Sequence, residues 1–478
     1  MNRFGVIFKA ADKYLHFIYL LYAVPMVYFM AIIVPPYQSP DEPNHFSRAE
    51  QVSRLEWVPA YQAKRGPTTD TIANDPKVLH RSTGGFRVSK GIADTYQFFS
   101  DINFKPNVKT SNAKLDAAKA IRWTNDYHYK NFANTAIYPP LVYIMPALGI
   151  SAGKLLHLGV IKTLYLSRIL NGIFCVTLSF FALMLARRSK ILLFIALLFP
   201  MTLFLFGSVT QDAVLISCSF LLVAIIDHVE SGNDRAYKPS LLAALIILMT
   251  IITVGKPPYL LLSGAFLFLK LNPKQKAVTI LVPTLIGFCW LWMIHSNFAV
   301  IFAPSSLRIN AKLQVLHIMH HPFNFLGLFF KYDGGGIAFF CRMVVGVLGW
   351  LDTFFSSSYY HITYAILALG LYCGITRNLK ISNLKLNLAL FIVALLTLIA
   401  ILTVQYITWT ALESPSLGGM QGRYFLPIYP MFALSLCISK YNAKIDKWQI
   451  VAFGLVLLFP ILTFLNVVTS IISRYYLV

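Results

Sequence analysis

The chain has 478 residues, of which 57% are hydrophobic and only 13% charged, with a mean hydropathy of +0.63. Soluble domains carry roughly 25% charged residues, so a single water-soluble globule is excluded. The net charge of +22 does not point to nucleic acid, because much of it lies in short loops beside apolar runs, the pattern of positive-inside topology signals.

A bilayer-crossing helix needs about 20 apolar residues, and the chain holds about eleven candidate runs. The first, 14–34, follows Lys9 and Lys13 and is stopped by Pro35-Pro36. It is too long for a removable signal and lacks a small-residue cleavage site, so a retained anchor with a cytoplasmic N-terminus is expected. Residues 37–137 form a long polar segment on the outer side, and its basic side chains suit anionic lipid head groups or phosphate-bearing substrates. Arg187-Arg188-Ser189-Lys190 should lie inside, which requires one full span at 164–186. That leaves 138–158 as an interfacial or re-entrant helix.

Further spans are expected at 191–207, 213–229, 240–254, 257–269 and 277–298. Arg235, Lys238, Lys270, Lys274 and Lys276 then fall inside. A second outer loop, 299–360, carries the apolar stretch 337–350, which should dip into the membrane. The last spans are 362–375, 386–409, 425–439 and 450–472, with Arg377, Lys380, Lys440, Lys444 and Lys447 inside. The expected architecture is therefore an all-α polytopic membrane protein, because lipid-exposed backbone must satisfy its own hydrogen bonds. Its parts are the N-terminus and first helix (1–36), a first periplasmic loop domain with its interfacial helix (37–160), spans two to seven (161–298), the second loop (299–360) and spans eight to eleven (361–478). No P-loop, dinucleotide motif or convincing internal repeat is present. The six cysteines fall in or beside apolar runs without a CxxC pair, which reads as buried thiols.

The polar signals gather where spans meet the outer face. Ser39-Pro40-Asp41-Glu42 reads as a helix start with a capping box from Ser39 to Glu42. In that helix Asp41, His45 and Arg48 share a face by i, i+4, i+7 spacing. A carboxylate at a helix N-terminus is favoured as the anion and suits a general base. The competing account makes Glu42 a cap and Asp41 a first-turn charge. Tyr138-Pro139-Pro140 closes the first loop, Gln211-Asp212 opens a span, and Lys256-Pro257-Pro258-Tyr259 separates two short spans. Gly349-Trp350-Leu351-Asp352-Thr353 ends the dipping stretch, where Asp352 is equally a helix cap. Gln421-Gly422-Arg423-Tyr424 opens the tenth span. Ionisable residues at the membrane edge are costly and suggest function, although Lys256 and Arg423 could equally snorkel to lipid phosphates. His317, His320 and His321 lack an HExxH pattern, and interfacial histidines describe them better than a metal site. The loop aromatics Trp57, Tyr61, Phe86, Tyr96, Phe98, Phe99, Trp123, Tyr127 and Tyr129 suit either sugar stacking or a small packed domain.

The run Ser39-Pro40-Asp41-Glu42-Pro43-Asn44-His45-Phe46-Ser47-Arg48-Ala49, with Tyr138-Pro139-Pro140-Leu141, Lys256-Pro257-Pro258-Tyr259, Leu348–Thr353 and Gln421–Pro427, resembles a family of bacterial multi-pass membrane proteins long labelled as of unknown function. That family is similar to the GT-C superfamily of integral-membrane glycosyltransferases. The resemblance implies an inner-membrane hexosyltransferase with a periplasmic site. Its donor would be a polyprenyl-phosphate sugar, and its acceptor a surface polysaccharide such as lipid-linked O-antigen, a lipopolysaccharide modification. Asp41, or Glu42 beside it, would be the catalytic base of an inverting attack. Arg423 and Lys256 would hold the donor phosphate. His45, Arg48, Tyr138, Asp212, Asp352, Gln421 and Tyr424 would support them. No cofactor is implied, and the missing Asp-Asp pair of some relatives leaves a divalent metal open. The rivals are a flippase or transporter of lipid-linked sugar, which should carry its charges midway through spans, and a non-catalytic assembly protein.

Overall fold

The computed structural model describes residues 12–58, 60–61, 84–231, 237–297, 309–328, 330, 336–375, 384–437 and 447–477. The basic markers Lys9, Arg235, Arg377, Lys380, Lys440 and Lys444 lie outside them. Among the described residues, six helices are long and apolar enough to cross a membrane. They are Leu15–Ile33 (α1), Val160–Leu185, Gln211–Glu230, Pro273–Ile294, Leu384–Trp409 and Lys447–Tyr475. The remaining expected spans form shorter, broken or more polar segments.

After α1, Pro35-Pro36 turns the chain into helix α2 (Glu42–Ser53). The loop beyond it folds on a small antiparallel sheet, β1 (Ala60–Tyr61), β2 (Gly84–Ser89) and β3 (Tyr127–Asn131), in that order. Phe86 sits opposite Lys130, and Val88 opposite His128. Lys130 crosses from β3 to α2, donating to Pro43 O at 3.0 Å and Ser47 Oγ at 2.9 Å. Phe99 is fully buried. Tyr96 receives a bond from Asn103 within the loop domain, whereas Trp123 donates to Thr163 Oγ1 in the helix Val160–Leu185 and ties the domain to the bundle. Trp57 stays exposed.

Helix α3 (Ile144–Leu155) has 12 residues, a rise of about 18 Å that falls short of a bilayer. It packs along α4 (Val160–Leu185). The apolar run at 191–207 is two short helices, Lys190–Leu197 and Pro200–Phe206, because Pro200 cannot continue the first. Helix α5 (Gln211–Glu230) is the axis of the bundle: 89% of its apolar window is buried, against 22% for Pro273–Ile294. Helix α6 (Pro239–Gly255) stops at Pro257-Pro258, and the chain continues as a 12-residue 3-10 helix, Pro257–Phe268. Its greater rise carries the same residues about 24 Å rather than 18 Å.

Helices α7 (Pro273–Asn297), α8 (Gly336–Gly346), α9 (Ser357–Ile375) and α10 (Leu384–Trp409) follow. The tenth expected span is a 3-10 turn, Gly422–Phe425, and then the short α11 (Tyr429–Leu436). The last helix is α12 (Lys447–Tyr475).

Opposite ends of α5 carry buried carboxylates, Asp212 and Asp227, about 22 Å apart by helical rise. At the C-terminal end Asp227 accepts from the backbone N–H groups of Arg187, Arg188 and Ser189 and pairs with Arg188 Nε at 3.0 Å. At the N-terminal end stands Asp212, and there the polar loop meets the helices.

Candidate functional site

Helix α2 begins differently from the expected capping box. Its N-cap is Asp41, held at φ +60°, without a side-chain cap bond. Glu42 does not reach back to Ser39. Its carboxylate, fully buried, accepts from Tyr37 N (3.1 Å) and Val209 N (3.0 Å), and from Arg168 Nε (2.8 Å) and Nη2 (2.5 Å). Arg168, in α4, also donates to the carbonyls of Ala31, Val34 and Pro35. This pair ties the end of α1, the start of α2 and the α4–α5 region together. Glu42 does not line the cavity described next, so the structure separates it from its neighbour.

Asp41 faces the other way. Its Oδ1 accepts from Asn134 Nδ2 at 3.1 Å and its Oδ2 from Arg423 Nη2 at 2.9 Å. Arg423 Nε lies 3.2 Å from Asp212 Oδ2, and Lys256 Nζ lies 2.9 Å from Asp212 Oδ1. Lys256 also sits 3.7 Å above the Tyr424 ring. Residues 382 positions apart thus meet in one charged chain. The two cations turn inward to carboxylates rather than outward to lipid phosphate. Gly422 permits this, because a Cβ there would overlap the backbone of Met343 and Val344 in α8. The four groups balance to zero, but their access differs. The Asp41 side chain is 30% exposed, whereas Asp212 and Arg423 are 2% and 3% exposed. Only Asp41 offers a carboxylate to a ligand, with lone pairs to spare after two accepted bonds.

Asp41, Asn134, Lys256, Arg423 and Tyr424 line a cavity of about 470 Å³, within the range of small-ligand sites, to which Asp212 itself does not contribute. Its polar lining includes Asp41, His45, Asn134, Tyr138, Gln211, Lys256, Gln421, Arg423 and Tyr424. Helix α7 adds the apolar Trp290, Leu291 and Ile294, and α10 adds Ile401, Val404 and Trp409 together with the polar Gln405 and Thr408.

Besides Glu42 and Asp212, two expected members lie off the cavity lining, Arg48 and Asp352. Asp41 caps α2 with a positive φ, so the i, i+4, i+7 face does not run from it. His45 reaches the cavity, but Arg48 turns away to Tyr138 O (2.9 and 3.2 Å), Gln51 Oε1 and Trp57 O. It therefore supports the site by fixing the Tyr138 peptide. Asp352 is absent from the cavity lining, caps no helix and pairs with neither Lys256 nor Arg423. It pairs with Arg474 of α12 at 2.7 Å, fastening the Leu348–Thr353 turn to the last helix. Among the described residues, no three His, Cys, Asp or Glu side chains gather as a metal-ligand group.

His45 Nδ1 lies 2.7 Å from Tyr143 Oη. Burial pushes its imidazole down to about 4 from an ordinary 6.5, with the nearby Asp41 carboxylate opposing. It adds no charge to the cluster at neutral pH. The unfolded chain gains this proton first, so the contribution to stability is complete above pH 6.5 and lost as pH falls toward 4. His45→Gln should remove about 3 kcal/mol of acid sensitivity across that interval. Melting temperatures of the solubilised protein between those limits check this; an unchanged acid slope would contradict it.

Helices of membrane length, with a charged cavity at one end of the bundle, define a multi-pass integral-membrane protein. Over residues 25–432 the chain matches the family model described as "Predicted membrane protein (DUF2142)", and it belongs to that family. No curated protein and no solved structure matches it.

Proposed function

We propose that the protein is a GT-C-type glycosyltransferase. It moves a sugar from a polyprenyl-phosphate donor to a surface polysaccharide, such as lipid-linked O-antigen, at the periplasmic face of a bacterial inner membrane. The observation that carries this reading is the cavity's mixed lining. Cationic Lys256 and Arg423 and the accessible Asp41 carboxylate share it with apolar side chains of two membrane-length helices. An amphiphile with an anionic head and an isoprenoid tail matches both kinds of lining.

In the reaction, the acceptor hydroxyl oxygen attacks the anomeric carbon. The bond from that carbon to the phosphate oxygen breaks, and its electron pair leaves with polyprenyl phosphate. Asp41 takes the acceptor proton, so the carboxylate's charge disappears as the leaving phosphate gains one. Arg423 and Lys256 stabilise that phosphate, with Arg423 exchanging its bond to Asp41 for the ligand and Asp212 retaining both cations in place. Glu42 has no chemical part.

Proteoliposomes loaded with a polyprenyl-phosphate sugar test this against transport. Sugar should appear on a lipid-linked oligosaccharide acceptor with matching release of polyprenyl phosphate. Movement of intact donor between leaflets, without release, would replace the proposal with a flippase.

A further inference from the structure

We infer that Gln211 recognises a hydroxyl of the donor sugar, through its side-chain carbonyl; this rests on the glycosyl-transfer reading. Gln211 opens α5 and is 1% exposed, yet it lines the cavity. Its Nε2 donates to Asp212 Oδ1 at 3.2 Å. An ionised carboxylate only accepts, so this bond fixes the amide orientation and leaves Oε1 as an acceptor. That Oε1 is buried without a hydrogen-bond partner. Buried polar atoms are nearly always satisfied by protein or water, so a ligand that fills the cavity and displaces water must bring a donor to this acceptor.

Gln421, on the same cavity, carries a second buried unpartnered Oε1. The chemistry of these two acceptors narrows the ligand. An isoprenoid tail brings no donor, and an ionised phosphodiester brings only acceptors. Neither would satisfy Gln211 or Gln421, whereas sugar hydroxyls would satisfy both. The cations and the glutamine acceptors therefore divide the head group, phosphate to the former and sugar to the latter. A site built to bond a hydroxyl also discriminates against ligands that lack it.

The experiment compares two ligands on the full-length protein in detergent by native mass spectrometry. One is bare polyprenyl phosphate, and the other is the best-bound member of a panel of polyprenyl-phosphate hexoses and pentoses. Gln211→Met should weaken the sugar-bearing lipid about tenfold, the effect of one lost hydrogen bond, and leave the bare lipid unchanged. Unchanged affinity for both overturns the inference. An equal loss for both also overturns it, because Gln211 then serves only to position Asp212. Should Gln211→Met not fold, Gln421→Met at its partly exposed position decides: a selective loss for the sugar-bearing lipid supports the sugar subsite, and an unchanged ratio refutes it. If the wild-type protein binds neither lipid, the failure lies with the glycosyltransferase reading itself.

Discussion

Asp41→Asn should lower sugar transfer by about 10²–10⁴-fold, the range for loss of a general base, while the protein remains folded. The side chain is part-exposed and its pair with Arg423 reaches solvent, so the stability change should be within about 1 kcal/mol. Arg423 keeps its second partner, Asp212. The substitution also removes one negative charge from a balanced cluster, which favours an anionic donor. The expected split is therefore specific: turnover collapses while donor affinity holds or improves. Turnover assayed beside donor binding checks it, and wild-type turnover in the variant would remove Asp41 from the mechanism.

The neighbouring acid should behave oppositely. Glu42→Gln leaves Arg168 buried without its counter-charge, and both side chains are 0% exposed. Breaking such a pair costs about 3–5 kcal/mol, a large part of the stability of a typical domain. Little monodisperse protein should survive purification, and what survives should melt early. Replacing both partners by leucine should not recover folding, because it also leaves the N–H groups of Tyr37 and Val209 and the carbonyls of Ala31, Val34 and Pro35 without these partners. Normal yield and melting of Glu42→Gln would contradict the structural role.

These two adjacent residues show what was legible in the chain. The motif around Asp41 supplies part of the cavity lining, and the cations at 256 and 423 are visible in the sequence as costly charges at span ends. Their convergence on Asp212 is not, because it depends on packing among segments far apart in sequence. The capping-box pattern suggested a structural use for Glu42 and named the wrong partner. Arg168 carries its own signal in the sequence: an arginine inside the apolar run 164–186 demands a counter-charge. Asn134 and Trp290 carry no comparable local signal. Asp352 was drawn into the site by its motif, yet its partner is Arg474 in the last helix. Hydropathy found the apolar runs but not their breaks. Among the described residues six runs are helices of membrane length, while Pro200 and Pro257-Pro258 divide or tighten others.

The most direct test of the central claim is the anomeric configuration of the product, read by NMR after turnover of a polyprenyl-phosphate sugar of known configuration. One accessible carboxylate acting as base predicts a single displacement, with inversion and one polyprenyl phosphate released per sugar transferred. Retention of configuration, or no transfer from any donor of the panel by folded wild-type protein, would contradict it.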